Sequence, residues 1–154
     1  YVLGDDGGGA DLGKRLIREY FYGDLPPAIK RELKGSPYHL SRERVIQKVY
    51  REGFPGGWLA SFARVYKRWN EHSVLERLLL ESFDAYFSAR ITSIPGHSKM
   101  PVFQLGGIAR QFSGLLFDLG KRRGFHLHFP DQETIRLLAQ KEADKYKKRP
   151  HDGS

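Results

Sequence analysis

The sequence predicts an α/β fold that is mainly helical, with a few short strands. Two observations carry this reading. Apolar residues recur at spacings of three and four through most of the 154 residues, the period of a helix face, whereas period-two alternation is confined to Phe125–Phe129. Two stretches, one opening at Tyr1 and one at Pro101, also run from a short apolar strand through glycines into a helix.

In order along the chain, Tyr1–Leu3 reads as a strand start and Gly4-Asp5-Asp6-Gly7-Gly8-Gly9 as a flexible acidic turn. A helix follows with Leu12, Leu16, Ile17, Tyr20 and Phe21 on its apolar face. Gly23 to Pro27 stop it, and Pro27 opens a short helix through Leu33 that Gly35 ends. Ser41 is the expected N-cap of the next helix, with Leu40 and Val45 as a hydrophobic staple and Val45, Ile46, Val49 and Tyr50 as its buried stripe. Phe54-Pro55-Gly56-Gly57 reads as a sharp turn before one helix carrying Trp58, Phe62, Val65, Tyr66 and Trp69, an aromatic row read as core. Ser73 and Glu76 suggest a capping box, and Val74, Leu75, Leu78, Leu79, Phe83, Tyr86 and Phe87 give the long central helix. Pro101–Leu105 is a strand, Gly106-Gly107 a turn, and Ile108, Phe112, Leu115, Leu116 and Leu119 a helix ended by Gly124. With the alternating strand Phe125–Phe129, residues 101–129 form a predicted βαβ unit with a right-handed crossover. Asp131 caps a last helix that runs into a basic tail.

Composition sets outer limits. A chain of this size buries about 68–70% of its unfolded surface, enough for a core without staples. With no cysteine, disulfides, thiol nucleophiles and Cys-ligated zinc are excluded. The sequence has no signal peptide and no apolar run near the roughly 20 residues of a membrane span, so a soluble, cytoplasmic protein with no membrane partner is expected. The first residue is Tyr and the chain opens almost on its best motif, which points to a piece of something longer. The net charge of +8 is spread over several helices and is dense only in Lys141, Lys145, Lys147, Lys148 and Arg149. That tail reads either as a solvated terminus or as a tracker of phosphates or an acidic surface.

The acidic glycine turn is the leading candidate site. Glycines let a ligand approach the backbone, the helix start offers N–H groups to polar or anionic ligands, and Asp5 or Asp6 can accept hydrogen bonds from hydroxyls. The bland alternative is an ordinary turn with a solvated acidic helix start. Two strand, Gly-Gly, helix sites in one small chain suggest a nucleotide or sugar ligand. Neither is a Walker phosphate loop or a G-x-G-x-x-G turn in the required spacing. His126 and His128 share a strand face but lack a third ligand nearby, so no metal site is predicted, and Asp84 and Asp118 read as solvated.

Leu3-Gly-Asp-Asp-Gly-Gly-Gly-Ala-Asp-Leu-Gly13 resembles the L-G-D-E-G-S-G-A-x-L-G signature of N-acetylglucosamine kinase-like proteins in the actin and hexokinase ATPase superfamily. Val49-Tyr50-Arg51, Phe54-Pro55 and Leu59-Ala60-Ser61-Phe62 are similar to a bacterial-type block of that family, and Pro101–Ala109 is similar to its G-S-[IV]-A segment. The three blocks keep the family's order and rough spacing over residues 1 to about 124. The resemblance implies the carboxyl-terminal lobe of an actin-like (ribonuclease H-like) fold over residues 1–130, with 131–154 as terminal helix and tail. It implies an amino sugar at Asp5, Asp6 and Gly7, the nucleotide at Gly106, Gly107 and Ile108, and ATP with Mg2+ as cofactors.

The departures shape the functional expectation. Asp6 replaces the family's Glu and Gly8 its Ser, and nothing matches the amino-terminal lobe with its Asp-Gly-Gly turn and catalytic Asp. A positioned general base is worth about 10²–10⁴-fold in rate and substrate alignment more, so no catalytic residue is assigned and a half-cleft should not turn over alone. The missing lobe or a second copy of the chain is the implied partner, since absent strands would leave a sheet edge open. The competing reading is a non-catalytic basic module that binds nucleic acid or an acidic partner through its tail and the 41–51 helix.

Overall fold

The computed structural model describes residues 5–147; the strand expected over 1–3 and the tail residues Lys148 and Arg149 lie outside them. The described chain is mainly helical with one two-stranded parallel sheet. Helix α1 (Gly9–Tyr22) is followed by α2 (Pro27–Lys34), and by α3 (Arg42–Ile46), which widens into a π-helical turn over Gln47–Arg51. Then come α4 (Pro55–Ser61), α5 (Ala63–Arg68) and α6 (Ser73–Tyr86), the last widening over Phe87–Ile91. Strand β1 (Pro101–Phe103), α7 (Gly107–Gln111), α8 (Ser113–Arg122), β2 (His126–His128) and α9 (Gln132–Lys147) complete it. Among the described residues no helix is long and apolar enough to cross a membrane.

The two strands pair in parallel with Val102 opposite Leu127, as the βαβ reading requires. Leu127 is buried and His126 and His128 are exposed, as period two predicts. Ser41 caps α3 by accepting the Arg44 N–H at 3.1 Å, and Asp131 caps α9 by accepting the Thr134 N–H at 2.7 Å.

Five local expectations are corrected. Ile46 and Tyr50 are exposed rather than buried, because the π turn after Ile46 shifts the helix register and leaves only Val45 and Val49, four apart, half-buried against the body. Ser73 is already helical, and His72 occupies the N-cap with no side-chain bond, its carbonyl accepting the Leu75 and Glu76 N–H groups. Pro55 and the two glycines after it form the first turn of α4, since Pro at the first helical position loses no bond. The aromatic helix breaks at Phe62 and the helix after Gly107 breaks at Phe112, where each ring is buried and the backbone leaves the helical ladder for one residue. Asp84 is paired with Arg123 at 2.7 Å rather than merely solvated.

The core gathers Leu12 and Leu16 of α1, Ile29 and Leu33 of α2, Phe62 and Tyr66 around the α4–α5 break, and Leu75, Phe83 and Phe87 of α6. The aromatic row is packing, as read: Tyr38 stacks on Phe62 at 5.0 Å and Trp58 meets it edge-on at the same separation. Glu32 ties α2 to α5 by accepting from Trp69 Nε1 at 2.8 Å and Arg68 Nη1 at 3.1 Å.

Tyr66 is fully buried and donates its hydroxyl to the Leu12 carbonyl at 2.9 Å. Burial, reinforced by the Asp11 charge, pushes its ionisation far above the ordinary value of 10.0. The unfolded chain therefore releases this proton near pH 10 while the folded chain keeps it. Stability is independent of the group below that pH and falls above it, by up to about 1.4 kcal/mol per pH unit. Tyr66→Phe is expected to lose about 1 kcal/mol at neutral pH and to soften the alkaline decline, read as urea midpoints at about pH 8 and about pH 11.

Candidate functional site

The acidic turn and the second glycine turn meet at one groove. Asp5 to Gly8 close a turn in which the Gly8 N–H donates to the Asp5 carbonyl at 2.8 Å, delivering the chain into α1. Gly7 has φ +74, and a Cβ there would sit 2.8 Å from the Tyr86 Cβ, so both conformation and space require glycine. The turn is thereby pressed against the end of α6. The Asp6 carboxylate lies 3.6 Å from the Arg90 guanidinium, on the widened turn that follows α6.

Across from it, β1 ends at Phe103 and the chain passes through Gln104, Leu105 and Gly106 into α7. Gln104 is buried; its N–H donates to the His128 carbonyl at 2.8 Å and its side-chain amide donates to the Tyr86 hydroxyl at 3.3 Å. Tyr86 thus touches both turns. Gly106 has φ +104, and a Cβ at Gly106 or Gly107 would meet nothing within 4 Å, so the space before this turn is open.

An open groove of about 440 Å³ runs between these elements, lined by Asp6, Gly7 and Gly8 on one side and by Gly106, Gly107 and Ile108 on the other. Asp6, Gly7 and all three residues of the second turn are brought together. Asp5 belongs to the same tight turn but does not line the groove.

Tyr86 and Gln104 are the groove's polar side chains that the sequence did not mark as part of a site. Tyr86 falls on the apolar stripe of α6 and Gln104 on a strand, and neither position signals a polar role until the two hydroxyl and amide groups are seen to meet. Among the described residues no group of three His or carboxylate side chains is placed to hold a metal ion. The charged side chain lining the groove is that of Asp6, with Arg90 beside it, and a carboxylate accepts hydrogen bonds from hydroxyls.

No family model matches the chain, and no curated protein matches it. Nine chains among the solved structures do. One is the putative N-acetylglucosamine kinase of Porphyromonas gingivalis, with a TM-score of 0.75 and 26% sequence identity over 84% of this chain. The structural neighbour is a kinase-like protein. This chain spans 46% of that protein's length.

Proposed function

We propose that this chain is the ligand-binding half of an amino-sugar kinase-like protein, the carboxyl-terminal lobe of an actin-like ATPase fold. The sugar sits at the Asp5–Gly7 turn and the nucleotide lies along Gly106, Gly107 and Ile108. The observation that carries the reading is the single groove joining two glycine turns that lie about a hundred residues apart in sequence. The Porphyromonas gingivalis neighbour, a putative N-acetylglucosamine kinase, supports the substrate class.

The chemistry of the residues fits. A carboxylate beside a backbone turn accepts bonds from neighbouring sugar hydroxyls, and the open space at Gly106 and Gly107 accommodates a nucleoside or its phosphates without steric conflict. ATP supplies the phosphoryl group in such a reaction, and magnesium travels with its phosphates. This chain's own residues would orient the sugar and seat the nucleotide; the catalytic base and the facing phosphate contacts would come from a second lobe, so the chain alone is expected not to turn over.

Calorimetric titration tests the reading. N-acetylglucosamine and Mg-ATP, added separately, are each expected to bind saturably, and Asp6→Ala is expected to weaken the sugar about tenfold or more, the worth of hydrogen bonds to a charged acceptor, while leaving ATP unchanged. Silence with both ligands would reduce the kinase likeness to shared ancestry.

A further inference from the structure

The chain's positive charge is concentrated away from the groove. Residues 27–69 hold ten Lys and Arg against three Asp and Glu, a net +7 in a chain of total +8, whereas residues 1–26 hold three basic against five acidic. The 27–69 segment displays aromatic rings that the core does not use, Tyr50 at 79% and Phe54 at 96% exposed, and Tyr22, at the end of α1 in the segment before it, is 81% exposed.

Two adjoining grooves organise these side chains. One, of about 520 Å³, is lined by Val45 and Val49 together with Lys14, Arg18 and Tyr50, and by Arg15, which is paired with Asp11 of the same groove at 2.9 Å. The other, of about 460 Å³, shares Arg15 and Arg18 and includes Tyr22. Arg18 therefore joins the surface at Tyr50 to the surface at Tyr22, beside Arg15, which Asp11 and Glu81 already hold. The carboxylates of the second groove are occupied: Glu19 pairs with Arg77 at 3.1 Å and Glu81 with the same guanidinium at 2.8 Å. Exposed Arg18 makes no ion pair among the described residues. Nearby, the Arg42 guanidinium lies over the Phe21 ring at 5.8 Å, a cation and an aromatic face already in contact.

We propose that this face of α1 and the α3 turn binds single-stranded nucleic acid, with Arg18 and its basic neighbours following the phosphates and Tyr50 and Tyr22 stacking on bases. Cations beside exposed rings are the two parts such a surface needs. An acidic peptide would use the cations and leave the rings idle, which is why the rings decide for nucleic acid. The proposal is independent of the kinase reading, whose groove lies at Gly7 and Gly106.

The test is fluorescence anisotropy of labelled oligothymidine and oligouridine of about twelve nucleotides, titrated with the whole chain. Binding is expected to be saturable at about 50 mM salt and to weaken about 20- to 50-fold by about 200 mM, as neutralising three or four phosphates of a single strand requires. Tyr50→Ala is expected to weaken binding about 5- to 100-fold with the salt slope unchanged, Tyr50→Phe to retain it, and Arg18→Ala to flatten the slope by about 0.7. Tyr50 is largely exposed, so its variants should fold, and circular dichroism of each confirms that. No saturable binding at low salt overturns the proposal. So does salt-sensitive binding that ignores Tyr50→Ala, which would assign the interaction to the basic tail, or polyglutamate binding as tight as the oligonucleotide's and equally indifferent to Tyr50, which would make the face a site for acidic peptides.

Discussion

Gly13→Ala is expected to destabilise the fold by about 3 kcal/mol, even though alanine is the better helix former by about 1 kcal/mol. Gly13 is buried in the middle of α1 against α4. A Cβ there would run into the Leu59 carbonyl oxygen, with the carbonyl carbon at 2.7 Å and the Leu59 Cα at 3.0 Å. One turn earlier, a Cβ on Gly9 would lie 3.0 Å from the Ala60 Cβ. These two glycines strip α1 of side chains along the line on which α4 rests. Because the obstacle at Gly13 is backbone, no rotamer change relieves it; the helices must separate, loosening the packing of Leu12, Leu16 and Phe62. Gly114→Ala is the matched control, an exposed glycine on α8 with nothing within 4 Å of its would-be Cβ, and it should be neutral or stabilising by up to about 1 kcal/mol. Urea unfolding of the two variants beside the parent chain decides; a Gly13 variant that matched the Gly114 variant would deny the close α1–α4 contact.

This contact changes how the first dozen residues are understood. As sequence, the run of glycines reads as a ligand loop. In the structure Gly7 shapes the turn that lines the groove, while Gly9 and Gly13 serve the helix interface. Sequence spacing cannot separate these uses, because an open turn and a close helix crossing both ask only for a missing side chain. The partner surfaces, Tyr86 and Leu59, lie some fifty to eighty residues away.

Local physics was legible where one signal sufficed. The Ser41 and Asp131 caps, Pro27 at a helix start and the alternation around Leu127 each declare themselves within a few residues, and each is observed. Legibility failed where tertiary packing overrides period. Ile46 and Tyr50 belong to an apolar stripe only if the helix keeps 3.6 residues per turn, and the π turn removes that condition. Phe62 and Phe112 fit a continuous helix by spacing, yet the helix is interrupted at each of these buried rings. The groove itself was legible as two separate glycine turns; that they share one space depends on α6 bringing Tyr86 to both.

The residue least visible in the sequence is Asp11, and its replacement carries the second large expected effect. It lies between Ala10 and Leu12 on α1 and is buried, yet it is charged. Its Oδ2 accepts from the Ser82 hydroxyl of α6 at 2.6 Å and from Arg15 Nε at 2.9 Å, and Arg15 reaches on to Glu81 at 3.7 Å. Ser82 is completely buried. Asp11→Ala therefore strands a buried hydroxyl and removes the main partner of Arg15, a loss of about 2–4 kcal/mol given that Arg15 is partly open to solvent. Ser82→Ala should cost only about 1 kcal/mol, since the carboxylate keeps its guanidinium. The double variant is expected to be about 1–2 kcal/mol more stable than the sum of the singles predicts, because once the carboxylate is gone the hydroxyl is a liability. Strict additivity in urea unfolding would mean that the two side chains do not meet. The same tie bears on the groove, for Asp11 lies in the first turn of α1, four residues after Gly7, and Ser82 is one helical turn from Tyr86. Loosening α1 from α6 at this point should widen the distance between the acidic turn and Tyr86, so any sugar bound at Asp6 is expected to weaken in Asp11→Ala and to recover with the double variant only in stability, not in affinity.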